Sequence, residues 1–377
     1  MKFVIFADKS YNYIRPISDG LHNTLIQEGH ESVIWYNGIY WLSKMNLLKV
    51  LLMDIFRAFR NLRKRNRNKY LYRFFGLLTF NSNKRRKLLK ECDCIIVVSN
   101  CPTVFYSKSL KRLEGIRLKY NKPIVNYDFH YLPNQGWYKR IIQDTYHFGL
   151  ERFDWYLPVG LITEFAIPKR IPQIYSPIGM DINSDDLYPE QNNFQALIDF
   201  ERKGYEKYRA LVIEVLTKLN IQYVELKGRY TTDEIRSIYR KSSVYFVSFR
   251  ESFGLPIVEL QLCGCYIFTP YKEWCPAHFL DKSPFEKGVG RLGDNFIVYD
   301  NHKELLKKHL LHIKNNFDAN QVIERFKIEY PNYFKINLDQ LNDFINKIAL
   351  GEINAASHLE YKKYNKYISI EDTITLY

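Results

Sequence analysis

The chain has 377 residues, 46% of them hydrophobic and 16% aromatic, and 55 Lys+Arg against 41 Asp+Glu give it a net charge of +14. That length is too great for one core and suits two domains of ordinary size, with apolar material enough for both. A membrane span and a secretory signal are not expected: the longest apolar stretch, Asn46 to Phe56, is broken by Lys49 and Asp54, and the run 3–7 is too short.

In chain order, Lys2–Ala7 reads as an apolar strand, 17–28 as a helix stopped by Gly29-His30, and 31–35 as a second strand. A long basic excursion over about 44–90 comes next. Cys94–Ser99 is the third strand, 106–120 a helix, and 123–127 and 154–159 further strands. Prolines then cluster at 158, 168, 172, 177 and 189, which suggests a crossing between domains. The second half starts again with strand 194–200, helix 205–219 and strand 223–226. Helix 232–241 is opened by a Thr231-x-x-Glu234 capping box. Two such halves predict two doubly wound α/β domains with a cleft between them, at 1–169 and 170–345. The remaining 346–377 form a tail expected to pack back on the first domain.

The charge is unevenly spread. Between Ile55 and Lys90 there are thirteen Lys or Arg and no acidic residue, and just upstream Leu48, Leu51, Leu52, Ile55, Phe56 and Phe59 recur at spacings of three and four. An apolar helical stripe running into a basic face reads as an interfacial helix for an anionic membrane surface; the alternative is a core-packed helix followed by a solvated basic loop. Nucleic acid is set aside as a partner because no helix-turn-helix, zinc-finger or RNP-type signature accompanies the charge. The cysteines (92, 94, 101, 263, 265, 275) contain no C-x-x-C and lack His at zinc-like spacing. They read as buried reduced thiols, which points to a cytoplasmic compartment.

The most informative stretch is Glu251-Ser-Phe-Gly-Leu-Pro-Ile-Val-Glu259, after an apolar strand at 243–249. Pro256 suits a first helical position and Gly264 the residue just past the helix end. Glu251 is therefore expected at the carboxyl edge of a strand, and Glu259 in the first turn of a helix. In an open α/β sheet that edge, facing a helix N-terminus, is where phosphate-bearing ligands bind. The bland alternative is a surface Glu followed by one placed for the helix dipole.

This pattern resembles the E-x7-E motif of retaining GT-B glycosyltransferases of family 4. The resemblance implies that the first domain faces the acceptor and that the second binds a nucleotide diphosphate sugar. Lys203-Gly204 matches the family's "KG", so Arg202 and Lys203 would hold the donor diphosphate in place of a metal; the chain has no D-x-D. Gly228, Arg229 and Tyr230 align with the turn that receives the base. Ser252, Phe253, Gly254 and Leu255 would meet phosphate or sugar oxygens, Glu259 would accept from the ribose hydroxyls, and Glu251 would support charge at the anomeric carbon. His130, with Asp128 as orienter or acceptor-side base, would face the transferred sugar; His147 is the rival. The family's paired glycines are missing from the first loop, where Tyr13 and Arg15 are assigned to the acceptor. The stretch 172–181 resembles the family's interdomain crossing. Cys263 is read as a helix-packing residue and not a nucleophile. The implied activity is metal-independent, retaining hexosyl transfer to a hydroxyl of a lipid-linked or cell-envelope glycan, on the inner face of the membrane, with no cofactor. The alternatives are a soluble transferase acting on a small or protein-bound glycan, and a non-catalytic sugar-nucleotide-binding scaffold.

Overall fold

The computed structural model describes residues 1–7, 14–36, 82–99, 115–128, 153–160, 174–182, 185–247, 249, 254–272, 274, 278–280 and 290–362. Among the described residues, ten strands fall into two parallel sheets. The first holds β1 (Lys2–Ala7), β2 (Glu31–Tyr36), β3 (Cys94–Ser99), β4 (Ile124–Asp128) and β5 (Trp155–Pro158), in the order β2-β1-β3-β4-β5. The second holds β6 (Gln195–Ile198), β7 (Gln222–Glu225), β8 (Val244–Phe246), β9 (Tyr266–Thr269) and β10 (Phe296–Val298), in the order β10-β9-β8-β6-β7. Renumbered within its own half, the second sheet repeats the winding of the first. Each therefore reverses direction next to its first strand, between β1 and β3 and between β6 and β8. The strands are nearly continuous apolar runs, and Phe3 to Ala7 are fully buried, because crossover helices cover both faces of a parallel sheet.

The helices are α1 (Ile14–Gln27), α2 (Ser82–Glu91), α3 (Glu206–Lys218), α4 (Thr232–Arg240), α5 (Leu255–Leu262), α6 (Lys303–Asn315), α7 (Ala319–Glu329), α8 (Leu338–Ala349) and α9 (Ser357–Lys362). In the second domain α3 packs against α6, while α5 packs against α4 and α7. The capping box of α4 forms as expected: Glu234 N–H donates to Thr231 Oγ1 at 3.2 Å and the Glu234 carboxylate accepts from Thr231 N–H at 2.6 Å.

Several boundaries shift. β8 keeps only three strand residues of the expected 243–249. Helix α5 begins at Leu255, with Gly254 as a left-handed N-cap at φ 64°, so Pro256 is its second residue and Glu259 its fifth, opening the second turn. Gly264 does follow the helix end, at φ 79°. β9, β10 and the helices after them carry no expectation from the sequence; a four-residue buried strand is too short to show a period. Of the expected helix 106–120, residues 115–120 are helical and the rest, like 37–81 of the basic excursion, lies outside the described residues.

Two segments run side by side where the halves join. Met180 N–H donates to Asn332 O at 2.8 Å and Asn337 N–H to Ile178 O at 2.7 Å, while Tyr127 Oη donates to Gly179 O at 2.8 Å. The chain then returns to the first sheet. His358, on α9, places its backbone N–H 3.1 Å and its Nδ1 2.8 Å from Asp154 Oδ1; Arg117 Nε and Ile124 N–H donate to Oδ2 of the same carboxylate at 3.1 and 2.8 Å. Asp154 is fully buried.

Candidate functional site

The reversal between β6 and β8 opens a crevice at the carboxyl edge of the second sheet, the position at which doubly wound sheets take ligands. After β6 the chain passes buried Asp199 into a turn where Glu201, Arg202, Lys203 and Gly204 are exposed. The Arg202 guanidinium lies 3.2 Å from the ring centroid of Phe249, which comes from just beyond β8. The loops after the two switch-point strands thus touch through a cation–π contact, which holds a flexible side chain at the crevice. Tyr205 packs edge-on against the same ring at 6.3 Å.

Neither of the two helix N-termini here has a capping hydrogen bond from its N-cap side chain. At α3 the Glu206 carboxylate accepts from Gly204 N–H with both oxygens at 2.9 Å, and its own and Gly204's amides hold its pKa below the usual range. Helix α5 has no side-chain cap, although Pro256 withholds one amide and Ile257 N–H donates to Gly254 O at 2.9 Å.

Glu259 is 6% exposed and is gripped by Arg236 of α4, whose Nε and Nη2 donate to Oε1 at 3.1 and 2.6 Å. Burial pushes its carboxyl above the usual range and the Arg236 charge and hydrogen bonds pull it back. Asp199 is likewise raised by burial, against hydrogen bonds from the Phe200 backbone and the Tyr245 side chain and the charges of Arg202 and Arg209. Arg209 donates to Asp199 O and, at 2.5 Å, to Glu225 Oε2, tying the ends of β6 and β7 together. At the neighbouring turn Lys227, Gly228 and Arg229 are exposed, while Tyr230 packs against Phe200 at 6.1 Å and accepts from Lys227 N–H at 3.1 Å.

Arg202, Lys203, Gly254, Leu255 and the 228–230 turn therefore lie on the loops and the helix start at one edge of one sheet, with Glu259 one turn further along α5. In the first domain Asp128 is the last residue of β4, at the carboxyl edge. Arg15 is exposed on α1 and pairs with Asp19 at 3.4 Å, and Asp19 also accepts from Tyr36 Oη. Tyr13, His130, His147, Glu251, Ser252 and Phe253 lie outside the described residues. Cys92, Cys94, Cys263 and Cys265 are buried free thiols; burial lifts Cys263 to about 12, so it is not poised as a nucleophile. Arg236, Arg209 and Asp199 were not singled out from the sequence. Their partners stand on other elements, and no local spacing announces the pairs. No described helix is long and apolar enough to cross a membrane.

No family model and no curated protein sequence matches the chain. Solved structures do. An alpha-glucosyltransferase in complex with UDP and a 13-mer DNA containing a central A:G mismatch matches at a TM-score of 0.52 and 13% identity, over 93% of this chain and all of that one. The alpha-glucosyltransferase in complex with UDP-glucose and DNA containing an abasic site gives 0.51 and 13%, over 92% and 99%. HepE of Anabaena in complex with UDP-glucose gives 0.47 and 12%, over 93% and 100%. At such identities the likeness concerns the fold. The chain has the GT-B fold, two doubly wound parallel domains.

Proposed function

We propose that the chain is a glycosyltransferase that binds a nucleotide diphosphate sugar at the carboxyl edge of its second sheet. The observation that carries this reading is the pair of cations at that edge, Arg202 fixed on Phe249 and Lys203 exposed beside it, with Glu259 on the helix that follows β8. Two cations at a sheet edge bind a diphosphate and stabilise it as a leaving group, the work a metal does elsewhere. A buried ionised carboxylate accepts hydroxyls. The UDP and UDP-glucose in solved proteins of this fold support a uridine nucleotide as the first to try.

In this reading the bond between the anomeric carbon and the diphosphate oxygen breaks, and an acceptor hydroxyl oxygen takes its place on the retained face while its proton passes to the departing diphosphate. Glu251 supports the charge that develops, His130 binds the donor sugar with Asp128 beside it, and Tyr13 and Arg15 face the acceptor. Retention and metal independence rest on the E-x7-E resemblance. Lys203→Ala is expected to weaken UDP binding by about 1.5–3 kcal/mol, the range for a charge-assisted hydrogen bond. UDP-glucose is expected to be hydrolysed slowly without acceptor, and equally fast in EDTA. Activity lost in EDTA and restored by manganese would sink metal independence; failure to bind UDP or GDP at all would sink the donor site.

For the acceptor we propose a lipid-linked or envelope glycan met at an anionic membrane surface, on the strength of the basic run before residue 90. The DNA in two of the matching glucosyltransferase structures favours a second reading, a nucleic-acid acceptor, so the absence of a DNA-binding signature is no ground for setting nucleic acid aside. A charge of +14 serves either polyanion.

A further inference from the structure

Glu259 and Arg236 stand 23 positions apart on adjacent helices, and their contact is one-sided. Both Arg236 donors, Nε at 3.1 Å and Nη2 at 2.6 Å, converge on Oε1. The remaining nitrogen, Nη1, lies 3.6 Å from Oδ2 of surface Asp186. Arginine and carboxylate more often meet as two parallel bonds that occupy both oxygens. Here Oε2 accepts no hydrogen bond from any described residue. Arg236 is itself 8% exposed, so the fork is held by packing and does not wander.

The pair stands on the helices before and after β8, the strand beside the switch point. Tyr239, one turn further along α4, feels the charges of both Glu259 and Asp199, and Asp199 follows β6 at the switch point. Glu259 faces Arg236 and Tyr239 from α4 and Cys263 on its own helix. Of these, Arg236 is the cation in hydrogen-bond contact. Without it, a carboxylate this buried has no counter-charge within hydrogen-bond reach and takes up a proton.

We propose that Arg236 is a positioning residue, which fixes Glu259 through Oε1 and keeps it ionised so that Oε2 accepts the 2′-hydroxyl of the donor ribose. This rests on the donor site proposed above. Arg236 touches no ligand itself, and a salt bridge that merely joined α4 to α5 would have no reason to distinguish one nucleotide sugar ring from another.

The test is a titration of the full-length wild type, Glu259→Gln, Arg236→Leu and Arg236→Lys with UDP, GDP and their 2′-deoxy counterparts. The wild type is expected to prefer the ribose form by about tenfold or more, the size of one hydrogen bond to a charged group. Glu259→Gln and Arg236→Leu should lose most of that preference, which is read as the ratio of the two affinities in each variant. Arg236→Lys, which keeps the charge without the fork, should keep an intermediate preference, and it carries the test if the leucine variant fails to fold. If Arg236→Leu and Arg236→Lys weaken both forms equally and leave the preference intact, Arg236 is structural and the inference fails while the donor site stands. A wild type with no preference overturns it too. A wild type that binds none of the four overturns the donor site itself, and the inference with it.

Discussion

Glu259 combines two opposed demands on one side chain, and they predict a pH dependence. Burial raises its pKa and the Arg236 charge and hydrogen bonds lower it, with the balance above the usual carboxylate range. The folded protein therefore holds this proton to a higher pH than the unfolded chain does. As pH falls through that window, protonating Glu259 favours folding and cannot itself destabilise the protein. In the proposed donor site it also removes the anion that would accept the ribose hydroxyls. Nucleotide affinity is accordingly expected to fall on mild acidification before the melting temperature does, and in Glu259→Gln this part of the decline should vanish. Calorimetric titrations alongside thermal scans across the same pH series would decide it; an identical pH profile in the glutamine variant would count against the role. Gly179 makes a second residue-scale prediction. Its φ is +72°, and a Cβ there would land on the carbonyl oxygen of Asn332. Gly179→Ala combines a left-handed conformation, about 1–2 kcal/mol, with a clash at the paired crossing segments. A loss of more than about 1 kcal/mol in urea unfolding is expected.

At the scale of elements, the buried Asp154 carboxylate is the point where α9 is fastened to the first sheet. It takes donors from Arg117, the amide of Ile124 and the amide of His358, and lies 2.8 Å from His358 Nδ1. Breaking a buried ion pair from one side leaves an uncompensated charge and costs about 3–5 kcal/mol. Asp154→Ala is expected to lose that much in urea unfolding, whereas removal of α9 should lose less, because Arg117 and Asp154 stay paired. Equal losses in the two would mean that the helix, not the ion pair, holds this corner. The capping box of α4 is a smaller case of the same kind: Thr231→Ala should cost about 1 kcal/mol. The two differ in how far they reach along the chain. The box is written within four consecutive residues and is read directly from Thr231-x-x-Glu234, while Asp154 gathers partners as far as 204 positions away.

For the whole molecule, the open question is what the basic run between Ile55 and Lys90 brings to the acceptor side. Near an anionic bilayer each Lys or Arg contributes about 1 kcal/mol, screened within roughly 10 Å at 0.1 M salt. If the acceptor is lipid-linked, the protein should sediment with anionic vesicles at low salt, leave them at high salt and ignore neutral ones. Replacing Arg63, Lys64, Arg65 and Arg67 by Ser should abolish this and spare donor hydrolysis. If the acceptor is nucleic acid, duplex DNA should compete the protein off the vesicles and accept labelled glucose. Much of this molecule was legible in its amino-acid order: two domains, parallel alternation, the restart after the proline cluster, the α4 cap, and the strand-to-helix turn around Gly254. Those features depend on periodicity, caps and turns, which act over a few residues. Helix α5 still began one residue earlier than Pro256 suggested, because Gly254 takes the left-handed cap. What only the tertiary structure decided are the pairings made by winding: Arg202 on Phe249, Arg236 on Glu259, Arg209 bridging β6 and β7, and α9 returning to Asp154. Each joins residues on different elements, so its energy depends on the path of the whole chain and leaves no local trace in the sequence.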